Sequence, residues 1–115
     1  MKPALQLALD FTDMHRALGV AREAAEHCSI LEIGTPLLKA EGLDAVRQLR
    51  EAFAHHTIVC DTKTMDAGRI EMETAAKAGA NVATVLGAAS DATVRECVEA
   101  FAQHGEAGSL VSTGQ

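Results

Sequence analysis

Apolar residues are gathered into four short runs, at 4–9, 29–33, 57–60 and 81–86, and each run is followed by a longer stretch in which apolar positions recur at helical spacing. The runs have the length of buried strands, and the stretches between them predict helices over about 13–27, 40–54, 67–79 and 90–104. The strand and helix unit repeats at intervals of roughly 25 residues. Strands alternating with helices in this way predict an α/β fold with a parallel sheet and right-handed crossovers.

The residues between elements agree with that period. Gly79 and Gly105 stand where a helix end needs a residue that tolerates the left-handed conformation. Asp13 and Ser90 are suited to cap helix N-termini, and Pro36 stops the second strand from continuing in the ladder.

Composition narrows the class. At 115 residues, with 48% apolar and 23% charged residues, the chain fits one globular domain, about half of a ~250-residue (β/α)8 barrel. A net charge of −6 and only three aromatic residues, Phe11, Phe53 and Phe101, argue against nucleic acid or an anionic membrane as partner. No apolar run approaches a membrane span, and the first residues lack a signal peptide's order, so the chain reads as cytoplasmic. Cys28, Cys60 and Cys97 form no C-x-x-C pair and are expected to be reduced and buried. The five histidines, His15, His27, His55, His56 and His104, fall in or beside helical stretches and are expected to face solvent.

Candidate chemistry lies at the carboxyl ends of the predicted strands, where βα loops build the site of a barrel. Asp10 ends the first run, and Thr35 follows the second. Glu32 interrupts the apolar residues Ile30, Leu31 and Ile33, a costly place for a carboxylate unless it is paired or metal-bound. Asp61 and Lys63, two apart, project to one side of the third strand, with Asp66 at the turn beyond, so two acids and an amine are expected to converge. Asp10 suits a helix N-terminus equally well, and Thr35 suits a turn before Pro36. No G-x-G-x-x-G follows the first strand, which disfavours a dinucleotide site, and no P-loop is present.

The segments 5–10, 32–42, 61–68 and 78–87, in this order and at these separations, resemble 3-hexulose-6-phosphate synthase, of the orotidine monophosphate decarboxylase suprafamily. That suprafamily also contains 3-keto-L-gulonate-6-phosphate decarboxylase, but Gly34-Thr-Pro-Leu37, Lys63-Thr-Met-Asp66 and Thr84-Val-Leu-Gly87 look more like the synthase. The resemblance implies an Mg2+-dependent aldol reaction joining formaldehyde to D-ribulose 5-phosphate. It further implies Glu32 and Asp61 as metal ligands, Lys63 as a cation at the enediolate, and Asp10 and Thr35 as substrate-binding residues. Asp66 is expected to reach a neighbouring subunit's site, which implies a homodimer or higher oligomer. A Schiff-base role for Lys63 is disfavoured, since the flanking Asp61 and Asp66 favour its ammonium form.

The resemblance also implies eight strands, with phosphate held by loops after the last two, and nothing here matches that phosphate site. The expected architecture is therefore four βα units of a (β/α)8 TIM-type barrel over residues 1–105, a half-barrel that is truncated, frameshifted at its end or naturally short. Residues 106–115 are expected to be an atypical tail unsuited to a fifth strand, because only Leu110 and Val111 are strand-like. An open sheet leaves edges and an inner face uncovered, which predicts association with another half or a second copy. A sugar-acid phosphate decarboxylase and a non-catalytic half-barrel module are the alternative functions.

Overall fold

A computed structural model describes residues 2–104 and the strand Ser109–Thr113, the latter by its backbone. Five strands, β1 (Gln6–Leu9), β2 (Ile30–Ile33), β3 (Thr57–Thr64), β4 (Val82–Leu86) and β5 (Ser109–Thr113), form one all-parallel sheet in the order β1-β2-β3-β4-β5. Helices α1 (Met14–Ala24), α2 (Thr35–Glu41), α3 (Asp44–Ala52), α4 (Gly68–Ala78) and α5 (Asp91–His104) fill the crossovers. Sequential strand order with a helix in every crossover is the arrangement of consecutive βα units in a barrel wall.

Strand register assigns the two faces. Leu9, Leu31, Ile33, Ile58, Cys60, Ala83 and Val85 are fully buried and share one core with Met14, Ala17, Ala21, Leu37, Val46, Leu49, Met72, Cys97 and Phe101 from the helices. The alternate positions make the opposite face. Gln6 and Ala8 on β1 are exposed, Ile30 and Glu32 on β2 are half-buried, and Val59, Asp61, Val82 and Thr84 on β3 and β4 are buried. Exposure of this face therefore falls from the β1 edge inwards.

Several local expectations hold. Asp13 Oδ1 accepts the His15 N–H at 3.0 Å, Ser90 Oγ accepts the Thr93 N–H at 3.2 Å, and Gly79 ends α4 with φ +119°. All three cysteines are free and buried, and burial pushes the Cys60 thiol up to about 12, with Asp61 and Glu71 adding to it. Gly105 lies outside the described residues.

Four expectations are corrected. The second helical stretch starts at Thr35, with Pro36 in its first turn where a missing N–H costs nothing, and breaks at Gly42 (φ +70°) into α2 and α3. The third strand runs on through the polar residues to Thr64. His56 is half-buried: its Nε2 lies 2.9 Å from the Ala25 carbonyl, and its ring meets Phe53 edge-on. Finally, Ser109–Thr113 is a strand, paired from Val82↔Ser109 to Leu86↔Thr113. An open parallel edge at β4 offers a full row of backbone donors and acceptors, so pairing there does not depend on a long apolar run.

Candidate active site

The site is assembled at the carboxyl ends of β1 to β4. Beyond Cys60, which pairs with Ala83, the register of β3 against β4 shifts, and pairing resumes with Thr64 opposite Val85. Two extra residues of β3 are thus accommodated in a bulge, where Lys63 takes a left-handed backbone conformation (φ +45°). A positive φ is uncommon for a side chain of this size, and bulges serve to re-aim side chains near sites. Here the bulge turns the Lys63 ammonium back onto Asp61 Oδ2, forming an ion pair.

Asp61 is 8% exposed and is the centre of the cluster. Its Oδ1 accepts the Thr84 hydroxyl at 2.7 Å; its Oδ2 meets Lys63 Nζ and lies 3.1 Å from Thr35 Oγ1. Thr35 donates chiefly to the Asp61 backbone carbonyl, at 2.7 Å, and accepts from Lys63 Nζ at 3.0 Å. Burial pushes the Asp61 carboxyl up, but the hydrogen bonds from Lys63, Thr84 and Thr35 outweigh it and hold the group below the ordinary aspartate range.

Glu32 lies one strand over. Register pairs it with Val59, two residues before Asp61, so both carboxylates stand on the sheet face away from the helices. Gln6 Nε2 donates to Glu32 Oε1 at 2.6 Å. Burial raises the Glu32 carboxyl; the Gln6 bond and Lys63 oppose this, whereas the charges of Asp61 and Asp10 add to it. The two acids are therefore displaced in opposite directions, Asp61 downwards and Glu32 upwards.

A carboxyl raised in the fold makes its ionised form costly, with the cost appearing above the ordinary value of 4.5 and complete above the raised one. Glu32→Gln keeps an acceptor for Gln6 and removes the charge. Its Tm at pH 7 is expected to equal or exceed that of wild type, with the difference vanishing in acid. A lower Tm at pH 7 would contradict the strain assigned to Glu32.

Asp10 is exposed beside Gly34, whose N–H donates to the Leu9 carbonyl at 3.1 Å. A Cβ on residue 34 would lie 1.9 Å from Asp10 Oδ1, so glycine is what lets the two strand ends approach. Asp66 does not join the Asp61–Lys63 pair. Its carboxylate accepts the Ala67 N–H at 2.7 Å in a left-handed turn, and among the described residues it makes no ion pair. Within one chain the ion pair is therefore made by one acid and one amine, and Asp66 bonds its own turn instead.

Sequence reasoning assigned no role to Thr84, Gln6 or Gly34. The available signal for Thr84 was a hydroxyl inside the apolar run Val82-Ala-Thr-Val85, the same anomaly that singled out Glu32. Gln6 alternates with Leu5 and Leu7, and nothing local distinguishes it from an ordinary outward-facing polar residue.

The donor set suits a hard divalent cation that keeps other oxygens. Among the described residues no three His, Cys, Asp or Glu side chains form a ready metal cage. Two carboxylates on one face, Glu32 raised chiefly by burial with the charges of Asp61 and Asp10 adding to it, fit an ion completed by substrate and water.

The family model described as "Orotidine 5'-phosphate decarboxylase / HUMPS family" matches residues 3–113, and the chain belongs to that family. Among curated relatives, 3-hexulose-6-phosphate synthase of Mycobacterium gastri is 43% identical over 100 residues, covering 87% of this chain and 48% of the relative. A crystal structure of a 3-hexulose-6-phosphate synthase superposes with a TM-score of 0.92 at 41% identity, covering 96% of this chain and 52% of that one. The 3-keto-L-gulonate-6-phosphate decarboxylase of Vibrio cholerae superposes with a TM-score of 0.93 at 38% identity, covering 97% and 51%. The chain spans about half the length of the curated relatives it matches. Among the described residues, no helix is long and apolar enough to cross a membrane.

Proposed function

We propose that this chain carries the metal and enediolate half of a 3-hexulose-6-phosphate synthase site, acting on D-ribulose 5-phosphate and formaldehyde. The observation that carries the reading is the Glu32, Asp61 and Lys63 constellation on one sheet face at the carboxyl ends of neighbouring strands. Relatives of the synthase name at 43% identity support the reaction class over the decarboxylase alternative.

Addition to formaldehyde needs a carbon nucleophile, made by removing a proton beside the substrate ketone. Negative charge then grows on the two enediolate oxygens. Bound Mg2+ supplies a Lewis acid for that charge, with Glu32 and Asp61 as the residues that would hold it. Lys63 offers an ammonium beside Asp61, aimed by the bulge, to hydrogen-bond the same oxygens. Thr35 and Asp10 border the cluster and suit sugar hydroxyls. Asp66, free of the intrachain cluster, suits a neighbouring subunit's site, so the working form in this reading is a homodimer or higher oligomer. Three unpaired buried cysteines fit a reducing cytoplasm.

The test is formaldehyde-dependent loss of ribulose 5-phosphate with Mg2+ and with a chelator, beside decarboxylation of 3-keto-L-gulonate 6-phosphate, while mass in solution is recorded. Metal-dependent, formaldehyde-dependent turnover is expected. Turnover of the sugar-acid phosphate alone would replace the synthase by the decarboxylase. Silence with both substrates from a folded chain would leave the half-barrel as a non-catalytic module.

A further inference from the structure

Thr84 is a buried residue of β4, 5% exposed, whose single hydroxyl touches both halves of the Asp61–Lys63 pair. Its Oγ1 lies 2.7 Å from Asp61 Oδ1 and 2.9 Å from the Lys63 backbone nitrogen. Directions are fixed by chemistry. An ionised carboxylate only accepts and a peptide N–H only donates, so the hydroxyl gives its proton to Asp61 and receives the Lys63 N–H on a lone pair. This falls within the bulge, where the shift from Cys60↔Ala83 to Thr64↔Val85 removes regular ladder partners. Threonine hydroxyls replace them: Thr62 Oγ1 donates to the Thr84 carbonyl at 2.7 Å, and Thr84 takes the Lys63 N–H.

We infer that Thr84 is the positioning residue of the site, a hydroxyl clamp that holds Lys63 in its left-handed backbone conformation and thereby aims the ammonium at Asp61. The inference rests on the proposed function for its catalytic meaning but not for its geometry. Valine has nearly the same shape and neither donor nor acceptor. In its place, the Lys63 N–H and Asp61 Oδ1 would both face a methyl group, and the part-buried N–H, left without its partner, would no longer hold the backbone in the left-handed conformation. Serine would keep both bonds.

Amide hydrogen exchange and backbone carbon shifts of Lys63, read by NMR on the full chain, test this without requiring turnover. In Thr84→Val the Lys63 amide is expected to exchange about tenfold faster or more, with its shifts leaving the left-handed range. The Ile58 amide, held by Asn81 Oδ1 at the other end of β3, should stay protected. Thr84→Ser should restore wild-type behaviour, and Thr84→Ala supplies the same loss of hydroxyl if valine prevents folding. Unchanged Lys63 exchange in the valine or alanine variant overturns the inference. So does equal loss of protection at Ile58 and Lys63, which would mark a general packing role. Where the wild-type chain turns over, kcat should fall about 100-fold in the valine variant with KM for ribulose 5-phosphate nearly unchanged. A silent wild type would count against the proposed function alone, because the amide readout stands apart from it.

Discussion

Asp61→Ala is expected to abolish metal-dependent turnover, by about a thousandfold or more, while the chain still folds. Asp61 is the point at which the three polar arms of the site meet: Lys63 from the bulge, Thr84 from β4 and Thr35 from the start of α2. Removing it takes away one of two carboxylates facing the proposed cation and leaves the ammonium with no fixed direction. The fold itself depends on the core on the other side of the sheet, to which Asp61 contributes nothing. A cost of about 1–3 kcal/mol is still expected, because the Thr84 hydroxyl loses its acceptor in a buried place. That cost has a pH signature. An aspartate lowered in the fold stabilises fully above its ordinary value of 3.8, and this contribution is lost as pH falls through the lower folded value. The acid limb of the stability curve should therefore be shallower in the variant, measured by thermal unfolding across pH. Undiminished turnover would remove Asp61 from the metal site; an unchanged acid limb would contradict the bonds drawn to its carboxylate.

How far the site could be read in advance depended on whether its signals were local. The four apolar runs announced four strands because burial on a parallel sheet selects continuous apolar residues whatever lies around them. Two-residue spacing singled out Asp61 and Lys63, although the bulge rather than regular strand alternation brings them together, and Glu32 was legible because a charge inside an apolar run needs a partner. The bulge was not legible. Nothing in Asp61-Thr-Lys-Thr64 announces a left-handed lysine, since the conformation is imposed by a hydroxyl 21 residues away on β4. The bond of Asp66 to the Ala67 N–H was not legible either, since nothing in its spacing announces the left-handed turn at Ala67. The fifth strand escaped notice because its pairing comes from the open edge of β4. The TIM-type half-barrel was legible as a period, whereas its fine register was written in contacts between distant residues.

The amino ends of the strands carry the second large effect, at Arg50, which sequence patterning gave no reason to single out. Its Nε donates to the Gly79 carbonyl at 2.9 Å, and its Nη1 lies 3.2 Å from the carbonyls of Phe53 and Ala54 and 2.9 Å from that of His56. Nη2 bonds Asn81 Oδ1, which also accepts the Ile58 N–H at 2.8 Å. One guanidinium thus ties the end of α3, the turn into β3 and the turn from α4 into β4. Only a planar fork of several donors can do this, and its charge also favours the carboxyl end of α3. Gly79 is part of the same device, since a Cβ there would lie 2.9 Å from both Cβ and Cγ of Arg50. Arg50→Met keeps the aliphatic stem and removes every donor, leaving four carbonyls and the Asn81 amide oxygen short of a partner. The expected loss is about 2–4 kcal/mol, or a Tm lower by roughly 10 °C, read by thermal and urea unfolding. Because the cluster stands at the end of the strands opposite Asp61, the folded fraction should keep its site geometry, with the Lys63 amide as protected as in wild type. Stability and chemistry are then separable at the two ends of one sheet. A variant as stable as wild type would mean that water satisfies these carbonyls equally well; loss of Lys63 protection at full folding would mean that the two ends are coupled through β3.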